Sequence, residues 1–364
     1  MKRFQIVLIV IPLLYWAGCG DDDNGDNEGN PVISGRTIYI VGSDDGGACY
    51  WVNGSRVELS GGAWATDIVV VDGTVYISGQ ADITTDYEAC YWINQEIYEL
   101  PGNGGEAEAI AVDGDDVYVA GWFNNGSCYW KNGERINLTT NAESQAFAIG
   151  VRNNGSVYIG GYYMNNHHYI IPCFWKDGNN RTNLPVPTHG DGEVYDITFD
   201  EAGNMRYYAG FTMKPDNLTG YAPKAARWRH TVRTDLPDGT SDISLYGTYS
   251  YGITIDGEDI YVAGYTDWIE DINNPETTGG TFPRYWKNNK AHDLEGGPMT
   301  HFGTGQANDI RVADGNIIIV GIATRGTSYD SSGEYACYWL NGELHYLVDD
   351  MSDRWTEAKG VFIE

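Results

Sequence analysis

The chain has 364 residues, of which 51 are acidic and 22 basic, and it contains 47 Gly, 27 Tyr and 12 Trp. A hydrophobic fraction of 42% is enough for a large core and excludes disorder for most of the length. A formal charge of -29 repels phosphate backbones, so we expect no nucleic-acid partner. The abundance of Gly, Tyr and Trp favours strands and tight turns over helices.

The first 18 residues have the features of an export signal. A basic head at residues 1–3 precedes an apolar run at 4–17, which is too short to span a bilayer comfortably. The run ends at Ala17-Gly18-Cys19, which resembles the cleavage site of bacterial lipoprotein signal peptides. This resemblance implies that residues 1–18 are removed and that Cys19 carries the lipid anchor. An uncleaved anchor and an ordinary secretory signal are the alternatives.

A polar, acidic segment follows the cysteine. Residues 20–30 show no apolar periodicity, so we expect residues 19–34 to form a flexible tether behind the lipidated Cys19. A cysteine followed by Asp21-Asp22-Asp23 resembles the signal that exports some lipoproteins of the Bacteroidetes type to the outer face of the outer membrane. A solvated spacer is the alternative. We therefore expect an outer-membrane lipoprotein of a bacterial cell envelope, facing either the periplasm or the outside.

One pattern recurs seven times between residue 36 and the C-terminus. Each unit contains an Ile/Val strand, a tight turn, a Tyr-rich strand ending in Gly, a variable stretch, an aromatic-Trp strand, another turn and a Leu. The glycines are Gly42, Gly79, Gly121, Gly161, Gly210, Gly264 and Gly321. The tryptophans are Trp51, Trp92, Trp130, Trp175, Trp228, Trp286 and Trp339, and the leucines are Leu59, Leu100, Leu138, Leu184, Leu236, Leu294 and Leu347.

These units predict an all-β fold, a seven-bladed β-propeller with four-stranded blades over residues 35–364. Repeat three shows two short turns, Asp113-Gly114 and Asn132-Gly133, and such pairs favour type I′ hairpins. The first repeat lacks its opening strand, whereas residues 357–363 at the C-terminus have the sequence of that strand. We therefore expect the C-terminal strand to complete the first blade, so that both chain ends close the ring.

The pattern from Ala109 to Leu138 resembles the bacterial extracellular HAF-type repeat, and more distantly the kelch repeat, whose second strand ends in a Gly pair such as Gly160-Gly161. The resemblance covers packing and turn positions. It supports the fold, and it implies no catalytic residue. Five cysteines lie two residues before a column tryptophan, where a ring would hold them apart, so we expect buried free thiols at Cys49, Cys90, Cys128, Cys173 and Cys337.

The variable connections of a propeller lie on one face, and we expect ligand binding there. Just before each inner strand, one position would ring the mouth of the central channel: Trp64, Glu106, Gln145, Glu193, Tyr249, Gln306 and Glu357. The residue after the column glycine is aromatic in four successive repeats, at Trp122, Tyr162, Phe211 and Tyr265. Aromatic faces beside carboxylates and amides suit sugar recognition. Structural packing is the alternative for both sets.

We expect no resident cofactor and no metal ligand set of the usual spacing. Asp67, Asp196 and Asp309 share one position on the first strands and would line the axis, where calcium is a possible occupant. Hydrogen bonding between blades is the alternative explanation.

Three function classes fit the sequence. The first is a non-catalytic binding module, monomeric and held to a membrane by its lipid anchor, which takes a glycan or an envelope protein on the variable face. The second is a glycan-active enzyme, a polysaccharide lyase or hydrolase using carboxylates such as Glu106 and Glu193. The third is a scaffold in an envelope complex. We expect the first, and the sequence leaves catalysis undecided.

Overall fold

The computed structural model describes residues 33–83, 86–102, 104–124, 126–139, 143–187, 190–216, 220–238, 245–269, 279–296, 304–325, 333–348 and 355–364. The predicted signal peptide, Cys19 and nearly all of the predicted tether lie outside these ranges. The described residues contain no helix, and therefore none that could cross a membrane.

Gly, β-branched and aromatic residues alternate with short turns along the whole described chain, and the result is a succession of strands. In chain order they are β1 (Ile38–Asp44), β2 (Gly47–Val52), β3 (Ser55–Glu58); β4 (Gly62–Val71), β5 (Thr74–Ile83), β6 (Asp86–Ile93), β7 (Glu96–Glu99); β8 (Gly105–Asp113), β9 (Asp116–Phe123), β10 (Gly126–Lys131), β11 (Glu134–Asn137); β12 (Ser144–Val151), β13 (Val157–Met164), β14 (Ile170–Lys176), β15 (Asn180–Asn183); β16 (Gly192–Phe199), β17 (Arg206–Asp216), β18 (Gly220–Arg229), β19 (Val232–Asp235); β20 (Leu245–Asp256), β21 (Asp259–Ile269), β22 (Gly279–Lys287), β23 (Lys290–Asp293); β24 (Gly305–Ala313), β25 (Asn316–Arg325), β26 (Gly333–Leu340), β27 (Glu343–Tyr346); and β28 (Glu357–Ile363).

The strands form seven antiparallel four-stranded sheets, the blades of a propeller. Blades 2 to 7 follow the chain, beginning with β4 to β7, and the first strand of each lines the central channel. Blade 1 has the order β28-β1-β2-β3, with Ile40 opposite Val361. The predicted seven-bladed fold and the closure of the first blade by the C-terminal strand are confirmed.

The turns within the blades are mostly of the predicted type. Asn132 and Gly133 have φ values of 50° and 82°, as a type I′ turn requires. The first turn of blade 3 differs from the prediction. Asp113 pairs with Asp116, so the turn residues are Gly114 and Asp115, and only Gly114 has a positive φ, at 60°. This is the pattern of a type II′ turn, which needs glycine at its first central position only.

The column tryptophans bind the blades together. All seven are at most 1% exposed and are the seven largest fully buried side chains that the structure describes, so each buries a large apolar area between sheets. Several also reach the preceding blade through the indole N–H: Trp130 donates to the carbonyl of Pro101 at 3.3 Å and Trp339 to that of Glu295 at 2.8 Å. The five column cysteines are buried free thiols, as predicted.

Two faces of the ring differ in their connections. The turns that join the first to the second strand and the third to the fourth strand of each blade lie on one face, the turn face. The second-to-third connections and the links between blades lie on the other, the loop face. In blade 6 the second and third strands continue onto the loop face, because β21 and β22 stay paired as far as Ile269 and Gly279.

Candidate functional site

The seven residues predicted to surround the mouth of the channel do occupy equivalent places on the loop face, and we call them the mouth ring. Each lies on an innermost strand opposite the residue that follows the column glycine: Glu106 pairs with Trp122, Glu193 with Phe211, and Tyr249 with Tyr265. In the remaining blades the pairs are Trp64 with Gln80, Gln145 with Tyr162, Gln306 with Ile322, and Glu357 with Ser43. The two predicted sets are therefore cross-strand neighbours.

Each innermost strand is bulged at the second residue after its mouth-ring residue. In blade 3 the pairing with β9 moves from Ala107 to Ala109, so that Glu108 is the extra residue. The bulge brings the carbonyl oxygen of Glu106 against the column glycine, where a Cβ on Gly121 would lie 1.9 Å from it. The same approach, at 1.9 to 2.0 Å, recurs at all seven column glycines. Each bulge therefore requires a glycine on the neighbouring strand, which explains why the glycine recurs in all seven repeats.

The bulges turn one further side chain per blade into the channel. These seven residues, the neck ring, are Thr66, Glu108, Phe147, Tyr195, Tyr251, Asn308 and Lys359. They line a cavity of about 430 Å³ inside the channel. None of them was predicted, because the column glycine opposite each bulge marks the close approach of the two strands but does not indicate which side chain turns inward.

Blades 4 to 6 present a continuous aromatic wall to the mouth and neck. Phe147 lies 5.1 Å from Tyr195, ring centroid to centroid, and Tyr195 stacks on Tyr251 at 4.6 Å. Tyr251 in turn stacks on Tyr265 at 5.7 Å. Phe211 and Tyr249 extend the wall, 5.1 Å apart. Offset and tilted contacts of this kind are the arrangements that aromatic pairs favour.

Tyr162, which the sequence analysis placed in the aromatic arc, contributes mainly to packing. Its side chain is 8% exposed, and its ring lies 6.0 Å from that of Phe147. Trp122 lies apart from the wall, in blade 3, beside Glu106. Of the predicted arc, Phe211 and Tyr265 therefore belong to the wall directly, and Tyr162 supports it from behind.

Glu193 carries the polar edge of the aromatic wall. Its Oε2 accepts a hydrogen bond of 2.8 Å from the hydroxyl of Tyr195. Burial raises the pKa of Glu193, although the bond from Tyr195 partly offsets this. This bond also fixes the tilt of the Tyr195 ring in the neck.

The opposite side of the mouth is polar. Glu108 is hydrogen-bonded to Glu106 and to the indole of Trp122, and burial followed by the charge of Glu106 raises the pKa of Glu108 to about 7. A hydrogen bond between two carboxyls needs one proton, so Glu108 donates to Glu106 when Glu108 is protonated. In blade 1, Lys359 pairs with Glu357 at 2.6 Å, and Asn308 donates to the same Glu357 oxygen at 3.1 Å.

The three aspartates assigned to the axis connect neighbouring blades. Asp67 accepts the backbone N–H of Ile110 at 3.0 Å, and Asp196 accepts that of Ile253 at 2.7 Å, each in the next blade. Asp309 accepts that of Val361 at 3.0 Å, across the closure of the ring. The second oxygen of each aspartate accepts the N–H of the following residue.

A cation already lies among these carboxylates. Arg311 pairs with Asp309 at 2.6 Å, and its charge also acts on Asp67 and Asp196. Burial raises the pKa of Asp67 to about 6 and of Asp196 to about 8. No group of three or more His, Cys, Asp or Glu side chains among the described residues could hold a metal ion. Calcium at these aspartates stays a prediction, and Arg311 gives them another counter-ion.

Comparison with known proteins adds similarity of fold alone. No family model and no curated protein matches the sequence. Among solved structures, the chain is similar to the extracellular domain of a candidate one-component system from B. thetaiotaomicron, with 9% identity and a TM-score of 0.45 over 80% of this chain. The chain covers only 38% of the length of that protein.

Two other solved structures show the same level of similarity. The β-propeller domain of the Trilobed protease from Pyrococcus furiosus has 12% identity and a TM-score of 0.45, with 86% of this chain and 94% of that chain covered. An acylaminoacyl peptidase has 13% identity and a TM-score of 0.46, with 87% of this chain and 51% of that chain covered.

Proposed function

We propose that this chain is an outer-membrane lipoprotein whose propeller, residues 35–364, binds a glycan at the mouth of its channel. Residues 1–18 are the signal peptide in this proposal, Cys19 carries the lipid, and residues 19–34 are the tether. Both the lipoprotein assignment and the relation of the blades to HAF-type or kelch repeats rest on the sequence resemblances given above.

The observation that carries the glycan proposal is the division of the mouth into two walls. The aromatic wall of blades 4 to 6 offers ring faces for the C–H faces of a sugar. The polar side offers carboxyl, amide and ammonium groups, at Glu106, Gln306 and Lys359, for its hydroxyls. A concave, mostly apolar site with a few convergent polar groups is the usual form of a small-ligand site.

The test is a glycan array followed by calorimetry with the chain that starts at residue 20. Trp122→Ala and Tyr265→Ala remove one aromatic ring from each side of the mouth. Tyr98→Ala is the matched control, because Tyr98 is 37% exposed on an outer strand. We expect a saccharide that binds the wild type and the control, and that each mouth variant binds at least about tenfold more weakly.

Two other results of the same experiment would count against glycan binding. If mouth variants and wild type bind every saccharide equally, the walls are packing and the proposal fails. If no saccharide binds while envelope proteins are recovered with wild type and variants alike, the scaffold alternative replaces it.

One observation favours a glycan-active enzyme as a second candidate. The pKa of Glu108, at the mouth, is raised to about 7, which suits a general acid. However, Glu106 and Glu108 are in mutual hydrogen-bond contact, closer than the separation of roughly 5 to 10 Å at which paired glycosidase carboxylates act. Turnover of a bound glycan that Glu108→Gln abolishes without loss of binding would establish this candidate.

A further inference from the structure

Four consecutive blades place a cation over a tyrosine ring at the turn face. In each case the cation is at the end of the third strand and the tyrosine is on the second. The distances from cation to ring centroid are 5.1 Å for Lys131 over Tyr118, 5.7 Å for Lys176 over Tyr158, 5.9 Å for Arg229 over Tyr207, and 4.9 Å for Lys287 over Tyr261. The four pairs are one structural feature repeated around the ring.

Blades 3 and 6 neutralise this cation, and blades 4 and 5 do not. Two residues before the tyrosine, blades 3 and 6 carry Asp116 and Asp259, which form ion pairs of 2.7 and 2.8 Å with their lysines. Blades 4 and 5 have Ser156 and Met205 at that position. Blades 4 and 5 therefore lack two carboxylates that blades 3 and 6 have, although the net charge of the chain is strongly negative.

The cations of blades 4 and 5 have poor substitutes for those carboxylates. The acidic group paired with Lys176 is Asp177, at 3.7 Å, and the same carboxyl also accepts the backbone N–H of Val157 at 2.9 Å. Arg229 contacts the sulfur of Met205 at 3.6 Å and forms no salt bridge with any residue that the structure describes.

Two more arginines enter the same sector. Arg206 donates from Nη1 to the hydroxyl of Tyr158 at 3.3 Å, and its guanidinium lies 4.9 Å from the centre of that ring. Arg152 is hydrogen-bonded to Tyr158 as well. Neither arginine has an acidic partner among the described residues, and the Nε of each is buried without a hydrogen bond there. We call Arg152, Lys176, Arg206 and Arg229 the basic patch.

The charge of the patch affects its neighbours. Burial alone would raise the pKa of Tyr158, yet the bond from Arg152 and the charges of Arg206 and Lys176 bring it below its usual value. Burial, followed by the charges of Arg206 and Arg229, lowers the pKa of His230. Asp200 also faces His230, but its Oδ1 accepts the backbone N–H groups of Asn204 and Met205 at 2.6 and 3.0 Å.

The patch is on the face at which the chain enters the propeller. β1 starts there, beside the end of β28, and Arg36 just before it pairs with Asp314 in a turn of blade 7. A chain anchored through Cys19 would therefore hold this face toward its membrane. Guanidinium groups match phosphate oxygens in geometry as well as in charge.

We propose that the basic patch binds a phosphate group presented by the lipid surface to which the chain is anchored. The source of the phosphate rests on the lipid anchor of the proposed function, whereas the site itself rests on the cations of blades 4 and 5, which have at most one weak acidic partner among the described residues. Each basic residue near an anionic membrane surface contributes about 1 kcal/mol, so four would orient a tethered propeller without anchoring it alone.

The test uses the unlipidated chain from residue 20, which contains every strand of the closed ring. Its sedimentation is measured with vesicles of phosphatidylcholine alone and with vesicles that also contain phosphatidylglycerol, and inorganic phosphate is titrated separately. The variant Ser156→Asp/Met205→Asp gives blades 4 and 5 the carboxylates of blades 3 and 6. Lys131→Gln/Lys287→Gln is the matched control, because it removes two cations from the same face.

We expect binding to the phosphatidylglycerol vesicles that inorganic phosphate competes away. The double aspartate variant should remain folded, as judged by circular dichroism, and bind at least about tenfold more weakly, with the control variant within about twofold of wild type. We expect Arg152→Gln/Arg206→Gln to weaken vesicle binding by the same factor, because it removes two positive charges from the patch.

The proposal would be overturned if wild type and the double aspartate variant bound the phosphatidylglycerol vesicles equally. It would also be overturned if the control variant lost as much binding as the double aspartate variant. Phosphate binding without vesicle binding would overturn the lipid source and leave a free anion as ligand. Glycan binding is measured with loop-face variants, so its failure is distinguishable from a failure here.

Discussion

The column glycines show how a single atom determines the geometry of the site. The bulge next to each glycine brings a carbonyl oxygen to the place where any other residue has its Cβ. Without the bulge, the neck-ring residue would not turn into the channel. The cavity therefore depends on glycine, which has no Cβ, at all seven column positions.

Gly121→Ala tests this relation. A Cβ there would lie 1.9 Å from the carbonyl oxygen of Glu106, and the neighbour is backbone that cannot rotate away. We expect the free energy of unfolding to fall by about 3 kcal/mol or more. Gly114→Ala in the same blade has open space around the new Cβ and only an unfavourable φ, so it should cost about 1 kcal/mol. Urea denaturation of both variants measures the difference, and similar losses would show that the close approach does not matter.

Glu108 gives the mouth a predicted pH dependence. Its pKa is raised to about 7 in the folded chain, against about 4.3 when unfolded. Between these values the folded state holds the proton and the unfolded state does not, so stability falls as pH rises through this window and the cost is complete above pH 7. Glu108→Gln should therefore be more stable than wild type by about 1 to 2 kcal/mol at pH 8 and equal to it at pH 4. Denaturation at both pH values checks this, with Glu134→Gln on an exposed outer strand as control; an advantage that does not vary with pH would contradict it.

At the scale of the strand, β28 joins the two ends of the chain into one blade. It forms the innermost strand of blade 1, and Asp309 in blade 7 bonds to its Val361. The remaining strands of blade 1 therefore depend on residues more than 300 positions away, a separation that makes closure a late step in folding.

Deletion of residues 357–364 removes β28. We expect the far-ultraviolet circular dichroism to lose its β-sheet signal and the product to aggregate, because both β1 and the channel side of blades 2 and 7 lose their partner. Removal of residues 1–32 is the control and should leave the spectrum unchanged. A shortened chain that still melts cooperatively at the wild-type temperature would show that six closed blades suffice.

The fold could be predicted from the sequence because its signals are local and repeated. Gly-containing turns, the buried strand around Trp130 and the missing first strand each depend on a few adjacent residues. The mouth ring could be predicted for the same reason. The neck ring could not, because a bulge shifts the alternation by one residue, and neither Glu108 nor Tyr195 differs in type from an outward-facing residue. Arg311 was missed because its role depends on aspartates in three different blades.

For the whole molecule, the axis combines three buried aspartates with one cationic side chain, that of Arg311. Asp67, Asp196 and Asp309 each bond to the next blade, and the side chain of Arg311 offsets their mutual repulsion. The ring thus carries its own counter-ion, attached covalently to blade 7.

Arg311→Met should leave these aspartates uncompensated and lower the free energy of unfolding by about 3 kcal/mol. We expect millimolar Ca²⁺ to restore part of the melting temperature of this variant, and neither Ca²⁺ nor a chelator to change that of wild type. Arg36→Met, at an exposed ion pair, is the control and should melt as wild type does. A wild-type melting temperature that rises with Ca²⁺ would instead support the calcium site predicted from the sequence.

The position of β1 within blade 1 has a mechanical consequence. β1 enters from the turn face with β28 hydrogen-bonded along one side and β2 along the other. A pull on the chain before β1 would act along the strand, so it would have to shear two ladders at once and could not break one hydrogen bond at a time. A ligand bound at the loop face would pull on the opposite face of the propeller, along the same axis as the force on β1. If the chain is anchored and binds a glycan as proposed, the closed first blade is the part of the molecule that bears the tension between anchor and ligand.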